Sequence, residues 1–282
     1  MDLSGKAALV TGGAKRVGRA IVLELARAGC DLAVHYRSSH SEAEETATAV
    51  SALGRRAVLI QGDLNDASAW PAIIERAVAR LGRLDILVNN ASLFDPAAAV
   101  AAESADASAD SFQPLPEPQA ECNPGAPGAR ATPQSPMTNF DSAEWDRMLR
   151  VNTVAPAALA HYARPHLSAH GSGRIINLCD ISADRPWPDY LAYCASKAAL
   201  LSLTKGLARA FAPTITVNAV SPGIAVFPDE YPAALREKLV ARVPLAREGT
   251  PEEIARLVRF LVESGDYITG QIISIDGGRS IV

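Results

Sequence analysis

Ala7-Ala8-Leu9-Val10-Thr11-Gly12-Gly13-Ala14-Lys15-Arg16-Val17-Gly18 is the stretch on which the fold turns. A short apolar run that ends in glycine reads as a buried strand, and the amphipathic run from Arg19 to Ala28 reads as the helix after it. Strand, glycine turn and helix start in that order make a phosphate cradle. Backbone N–H groups and the positive helix end face an anion, and glycine lets the backbone come close. A glycine-rich turn alone is a weak signal; its place between a first strand and a first helix makes it specific.

The alternation continues outward from there. Asp31–Tyr36, Ala57–Gln61 and Ile86–Asn89 read as strands two to four, with a helix over Ser68–Leu81 between the last two. Asp141 caps a helix running through Trp145 and Leu149 toward Leu159. Arg174–Cys179 is strand five, Ala192–Phe211 a helix, Ile215–Val220 strand six, and Ile272–Ile275 the last strand. Thr250 caps a further helix with Pro251 in its first turn. Strands alternating with helices imply an α/β fold: one doubly wound parallel sheet with helices on both faces, a single Rossmann-like domain over residues 1–282. From about Pro96 to Asn139 the pattern dissolves into Ala, Pro, Ser, Gly and Asp. Such a stretch cannot bury enough apolar surface to offset its ordering entropy. It reads as a low-complexity insertion forming a long, partly mobile loop at the ligand-binding edge.

Composition excludes several classes. A chain of 282 residues, 48% hydrophobic with a net charge of -4, has ample core and no basic footprint for nucleic acid or a membrane surface. No apolar run is long enough to span a bilayer. The opening Met1-Asp2-Leu3-Ser4-Gly5-Lys6 lacks a signal-peptide pattern, so a cytoplasmic protein with reduced cysteines is expected. The four cysteines form no Cys-x-x-Cys pair and the five histidines have no metal-ligand spacing, so no metal is expected.

The strand ends carry the chemistry. After strand two an acidic residue would bond a ribose 2′-hydroxyl, whereas a cation accommodates a 2′-phosphate. This chain offers Arg37 and Ser38 with Lys15 and His35 nearby, which points to NADP(H) over NAD(H); a solvated loop cation is the plainer reading of Arg37. Asp63, followed by Leu64, either bonds an adenine amino group or caps a turn. Asn89 and Asn90 end strand four, to hold cofactor or neighbouring backbone or to make a turn. Phe94 either stacks on a flat substrate or packs in the core. Asn152 sits inside a helix, where a polar interior side chain implies a helix irregularity or a water serving a proton relay; a solvated Asn is the alternative. Residues Ile224 to Val243 suit a mobile substrate flap.

The catalytic stretch runs from Asp180, at the end of strand five, to Lys197. Tyr193 and Lys197 are four apart at a helix start, on one face. A phenol has a reference pKa of about 10, and a nearby ammonium lowers it. At about 5 Å and an effective dielectric of about 20 the coupling is roughly 3 kcal/mol as a ceiling, enough to bring the phenol toward general-acid work. A surface tyrosine and lysine is the plain alternative.

Together these motifs resemble the short-chain dehydrogenase/reductase family over nearly the whole chain. The matches are Thr11–Gly18, Asn89-Asn90-Ala91, Asn152, Tyr193-x-x-x-Lys197, Ser221-Pro222-Gly223 and Asp276-Gly277-Gly278. The resemblance implies about seven strands in the order 3-2-1-4-5-6-7, Tyr193 as proton donor, Lys197 tuning it and bonding the nicotinamide ribose, and Asn152 helping to hold a relay water. It implies NADPH contacts at Gly12, Lys15, Arg16, Val17, His35, Tyr36, Arg37, Ser38, Asp63, Leu64, Asn90, Ala91, Ser92, Tyr193, Lys197, Pro222 and Gly223. It also implies a homotetramer paired through helices near Leu149–Leu159 and Leu200–Leu207; core packing is the alternative use of those residues.

Two departures narrow the resemblance. Arg16 stands where the family has glycine, and Asp180 where it has the catalytic serine. Both look like the pteridine reductase subgroup, as do His35-Tyr36-Arg37-Ser38 and Asn90-Ala91-Ser92-x-Phe94. That resemblance implies a pterin or folate substrate held by Arg16, Ser92, Phe94, Asp180 and Tyr193. An ionised Asp180 only accepts hydrogen bonds and would repel an oxyanion, so it suits a substrate with N–H groups or a nitrogen to protonate. The expected activity is NADPH-dependent reduction of a C=N bond. The alternatives are a carbonyl or 3-oxoacyl reductase, or an NADP-binding regulatory protein. Ser182 is the other candidate for the missing hydroxyl.

Overall fold

Seven parallel strands lie in the order β3-β2-β1-β4-β5-β6-β7, the order expected from the resemblance. They are β1 (Ala7–Val10), β2 (Asp31–Tyr36), β3 (Ala57–Gln61), β4 (Ile86–Asn89), β5 (Gly173–Leu178), β6 (Ile215–Pro222) and β7 (Ile272–Ile275). The computed structural model describes residues 1–94, 140–227 and 231–282; the expected insertion lies outside the described residues. In register, Val10 pairs with Val34 and Val88, Val88 with Ile176, and Asn177 with Ala219. The carboxyl ends of β1, β4, β5 and β6 therefore share one edge. The order reverses between β1 and β4, and ligands of such sheets bind in the crevice there.

Helices cover both faces. They are α1 (Arg16–Arg27), α2 (His40–Ala52), α3 (Ala69–Leu81), α4 (Ser142–Leu149), α5 (Ala155–Ser168), α6 (Leu191–Phe211), α7 (Ala233–Val240) and α8 (Pro251–Glu263). Side chains alternate across a strand. Leu9, Leu87 and Ile175 therefore meet Ile73 of α3, Leu159 of α5 and Phe211 of α6 on one face. Val10, Val88 and Ile176 meet Ile21 and Leu25 of α1 and Val258 of α8 on the other. Each such aliphatic side chain contributes roughly 1.5–3 kcal/mol when fully buried. Burial on both faces is why the strands read as unbroken apolar runs.

Several local expectations have visible causes. Asp141 caps α4, accepting from the Ala143 N–H at 2.9 Å. Thr250 and Glu253 form a reciprocal capping box at α8. α1 starts three residues before the expected Arg19, because the glycine turn leads straight into it. α2 was not foreseen: only Ala43, Thr46 and Val50 of its thirteen residues are buried, so its sequence shows little apolar period. Within the expected flap, residues 233–240 form α7, and residues 228–230 lie outside the described residues. Leu159, Leu200 and Leu201 are buried within the chain's own core. Those three pack internally, while Leu149 and Leu207 are half-buried.

The closest backbone approach is at Gly18. A Cβ there would lie 2.0 Å from the Gly12 carbonyl oxygen and 2.6 Å from Asn90 Nδ2. At Gly206, on the exposed side of α6, a Cβ would meet nothing within 4 Å. Gly18→Ala is expected to cost about 3 kcal/mol or more in urea unfolding, as an overpacked site does at its upper range. Gly206→Ala is expected to add about 0.5–1 kcal/mol through helix propensity.

Candidate active site

The phosphate cradle is tied to strand four. Thr11 Oγ1 accepts from the Asn90 and Ala91 N–H groups at 2.9 and 3.0 Å. Asn90 Nδ2 donates back to the Thr11 and Gly12 carbonyls at 2.9 and 3.2 Å. Asn90 thus holds the turn's backbone, one of the two uses its place at a strand end allowed.

His35 is a neutral brace. Its Nδ1 accepts from the Gly12 N–H at 3.3 Å, and its Nε2 lies 3.1 Å from the Gly62 carbonyl. A carbonyl only accepts, so the proton is on Nε2. Burial pushes the His35 pKa down to about 4. Desolvation keeps the ring uncharged, so of the residues expected near a 2′-phosphate His35 contributes no charge. Arg37 and Ser38 are exposed at the end of β2, and Lys15 Nζ lies 3.8 Å from Glu42. Asp63 caps a turn, accepting from the Asn65 N–H at 2.9 Å, and its residue also borders the cleft.

Arg16 adopts φ +52, the left-handed conformation that glycine takes without penalty. A side chain in that region costs roughly 1–2 kcal/mol. An outlier of this kind is the observation from which a functional use of the side chain can be argued.

One cleft of about 810 Å³ runs along the strand ends. It is bordered by Gly12, Lys15, Arg16, Val17, His35, Tyr36, Arg37, Ser38, Asp63, Leu64, Asn90, Ala91, Ser92, Phe94, Asp180, Tyr193, Pro222 and Gly223. Lys197 and Asn152 are buried behind it. Phe227, Tyr231 and Arg242 of the expected flap also line it, as do Trp187, Tyr190 and Arg279, which were not assigned to a site from the sequence. The one signal for them was aromatic density in 187–193 and 227–231.

Asp180 lies two residues beyond β5. Its Oδ1 accepts from the Ser182 N–H at 2.8 Å, capping the 3-10 turn Ile181–Ala183, and its Oδ2 accepts from the Tyr193 hydroxyl at 3.0 Å. Ser182 is fully buried and does not border the cleft, so its hydroxyl is not presented in place of the missing one. Lys197 Nζ donates to the Leu178 carbonyl at 2.9 Å and lies 5.7 Å from the Tyr193 ring centroid.

Burial dominates all three charges. It pushes Lys197 down and Asp180 up, the latter partly offset by hydrogen bonds from Ser182. Tyr193 stands well above the ordinary phenol value, because burial and then the Asp180 carboxylate both oppose a phenolate. The expected lowering by Lys197 is thus reversed: the carboxylate is the nearer charge, and desolvation outweighs the ammonium. The phenol is held protonated.

Asn152 sits in a π-helical turn, Arg150–Val154, between α4 and α5, the irregularity its polarity implied. Its Oδ1 accepts from the Leu93 N–H at 2.7 Å and the Ser92 hydroxyl at 3.2 Å. Its Nδ2 donates to the Leu93 carbonyl and to Ser196 Oγ, both at 3.0 Å. All four amide positions are used, so the side chain positions Ser92–Leu93 against α6. Phe94 follows, its ring centroid 5.0 Å from both Tyr190 and Tyr193.

The buried thiols are inert by the same logic: burial pushes Cys30 and Cys179 up to about 12, and Cys194 upward. Among the described residues no cluster of His, Cys, Asp or Glu could hold a metal, and no helix is long and apolar enough to cross a membrane.

Comparison with known proteins agrees with this geometry. Residues 6–113 match the family described as short chain dehydrogenase, and residues 127–280 the one described as enoyl-(acyl carrier protein) reductase. The chain is 32% identical over 277 residues to a 3-oxoacyl-[acyl-carrier-protein] reductase FabG of Staphylococcus aureus, covering 97% of each chain. It is similar to the crystal structure of FolM alternative dihydrofolate reductase 1 from Brucella canis complexed with NADP. There the TM-score is 0.80 at 32% identity, over 100% of this chain and 96% of that one. A short chain dehydrogenase from Burkholderia cenocepacia, in complex with NADP, is 33% identical with a TM-score of 0.79, over 99% of each chain. The chain belongs to the short-chain dehydrogenase/reductase family of oxidoreductases.

Two outcomes follow from this geometry. A histidine near 6.5 when unfolded and about 4 when folded stabilises the fold above 6.5, and that contribution is lost as pH falls toward 4. It amounts to roughly 3 kcal/mol as a ceiling. Thermal unfolding of wild type against His35→Gln is expected to show a steeper loss in wild type across that window. Arg16→Gly is expected to relieve backbone strain, raising stability by about 1 kcal/mol while weakening ligand binding, checked by urea unfolding and titration with NADPH.

Proposed function

We propose that this reductase uses NADPH to reduce a C=N bond of a pterin, dihydropterin or dihydrofolate, with Tyr193 as proton donor. The observation that carries the reading is the 3.0 Å hydrogen bond from the Tyr193 hydroxyl to Asp180. A carboxylate occupies the place where the family has a hydroxyl. It opposes an oxyanion and accepts from N–H groups, which a pterin ring presents.

The residues present fit the cofactor. The turn at Gly12–Gly18 and the start of α1 border the cleft, where backbone N–H groups and the helix end can hold a phosphate. The end of β2 offers Arg37 and Ser38 and no acid, which suits a 2′-phosphate. The FolM structure, described as an alternative dihydrofolate reductase complexed with NADP, supports both halves of the reading. Bound NADPH would supply hydride to the ring carbon.

The chain's own residues do the rest. Phe94 offers an aromatic face for a flat ring beside Tyr193. The raised pKa keeps the proton on Tyr193 at neutral pH, so its release to the ring nitrogen depends on stabilisation of the phenolate. Asp180 holds the phenol's orientation and accepts from substrate N–H groups. Lys197, fixed by the Leu178 carbonyl, is placed to bond the nicotinamide ribose and to stabilise the phenolate once the proton has left. Asn152 keeps Ser92 and Phe94 at the cleft wall.

A 3-oxoacyl or other carbonyl reductase is the second reading, favoured by the FabG relative. It accounts for Tyr193 and Lys197 but not for Asp180 or Arg16.

NADPH oxidation against a panel of dihydrobiopterin, dihydrofolate, 3-oxoacyl thioesters and small ketones tests both. Asp180→Ser is expected to lower kcat/KM for the pterins about a hundredfold, with NADPH affinity little changed, and Tyr193→Phe to lower it at least as much. Unchanged pterin turnover in Asp180→Ser would remove that residue from the mechanism. Turnover of oxoacyl substrates without pterins would establish the second reading.

A further inference from the structure

Two arginines stand together at one end of the cleft wall. Arg55, Arg56, Arg83, Arg174, Arg247 and Arg259 each form an ion pair with a carboxylate. Arg242 and Arg279 border the cleft, and among the described residues neither forms one. They come from different parts of the chain: Arg242 follows α7, and Arg279 lies in the tail after β7. Hydrogen bonds to main-chain oxygens hold this end together. Arg279 Nη1 donates to the Arg242 carbonyl at 3.4 Å. Arg185 Nη1 donates to the Ser280 carbonyl at 3.1 Å and also reaches the Val282 carbonyl. The C-terminal tail is thereby clamped between the segment after α7 and the loop after Asp180.

The arrangement has an electrostatic cost. Partial burial lowers the Arg279 pKa, and Arg242 and then Arg185 lower it further, as like charges do. Guanidinium groups held near one another are relieved by a ligand carrying carboxylates, which they bind in a fork geometry. The chain as a whole is negative, at -4, so this positive end is a local feature. The cleft, at about 810 Å³, continues from Tyr193 and Phe94 to these two groups.

We infer that Arg242 and Arg279 form an anion-binding end of the substrate cleft, fitted to a carboxylate-bearing tail on the flat ring, so that the preferred substrate is a folate-type dihydropterin. This rests on the pterin reading above and adds to it which class of pterin is taken. The guanidinium pair grips the dicarboxylate end of the tail while the ring lies against Phe94, within reach of the catalytic phenol. A pterin with a short neutral side chain forgoes that contact.

The test uses the full chain saturated with NADP+ and the tail alone, N-(4-aminobenzoyl)-L-glutamate, in calorimetric titration, with 4-aminobenzamide as the uncharged control. Wild type is expected to bind the dicarboxylate and not the control. Arg242→Gln/Arg279→Gln is expected to weaken that binding about tenfold or more. In turnover, the ratio of kcat/KM for dihydrofolate to that for dihydrobiopterin is expected to fall about tenfold in the double variant, through KM, and added salt is expected to reproduce part of the fall in wild type. Tail binding lost in the variant without reduction of either pterin would leave the anion subsite standing and sink the pterin reading. Both pterins reduced with an unchanged ratio, or tail binding equal in the two proteins, would overturn the inference and spare the reading. A loss confined to acyl-carrier-protein thioesters would also overturn it, by assigning the arginines to an acidic protein partner.

Discussion

Helix α1 can begin against the end of β1 only because position 18 carries no side chain. The backbone of Gly12, the amide of Asn90 and the start of the helix occupy the space that a Cβ would need. Thr11 and Asn90 close the same junction with reciprocal hydrogen bonds between β1 and β4. This is the point where the strand order reverses. A parallel sheet places every strand's carboxyl end on one edge, and the reversal opens a crevice there. The cradle from β1, Asn90 from β4, Asp180 from β5 and Pro222 from β6 meet because of that arrangement.

Within the crevice, desolvation sets the protonation states. Tyr193, Asp180 and Lys197 all lie where water is largely excluded, and for each the loss of hydration is the first cause of its shift. A pairwise estimate between ammonium and phenol captures the sign of one interaction and omits the larger one. The outcome is a proton held on the phenol beside a carboxylate. That state is unsuited to sheltering an oxygen anion. Arg16 carries the same signature in the backbone: an unfavourable φ kept where glycine would relax it. Local departures from what is cheapest cluster at this cleft, as is usual for working sites.

The legible parts were those with strong local pattern. The strands over 31–36, 57–61, 86–89 and 272–275 appear with the expected ends. The caps at Asp141 and Thr250 appear too, because their chemistry is confined to three or four neighbouring residues. α2 was silent because few of its residues face the core. His35 was expected near the 2′-phosphate site, and only its neighbours Gly12 and Gly62, the latter 27 positions away, show it to be a buried neutral brace. The polarity of Asn152 announced an irregular helix, but its four partners come from Ser92, Leu93 and Ser196, which no local pattern identifies.

By itself the sequence determined the alternation of strand and helix, the glycine turn, and the presence of a tyrosine, a lysine and an aspartate at spacings that the family's chemistry uses. These follow from periodicity, capping and short spacing, all of which act over a few residues. The tertiary structure alone decided which charges face one another. It set Asp180, half-buried at the cleft, against the hydroxyl of the buried Tyr193. It also brought Arg242 and Arg279, from separate ends of the sheet's last crossover, to one wall. Distances and burial depend on chain segments far apart in sequence, and electrostatic energies depend on both, so protonation and charge pairing are properties of the folded cleft.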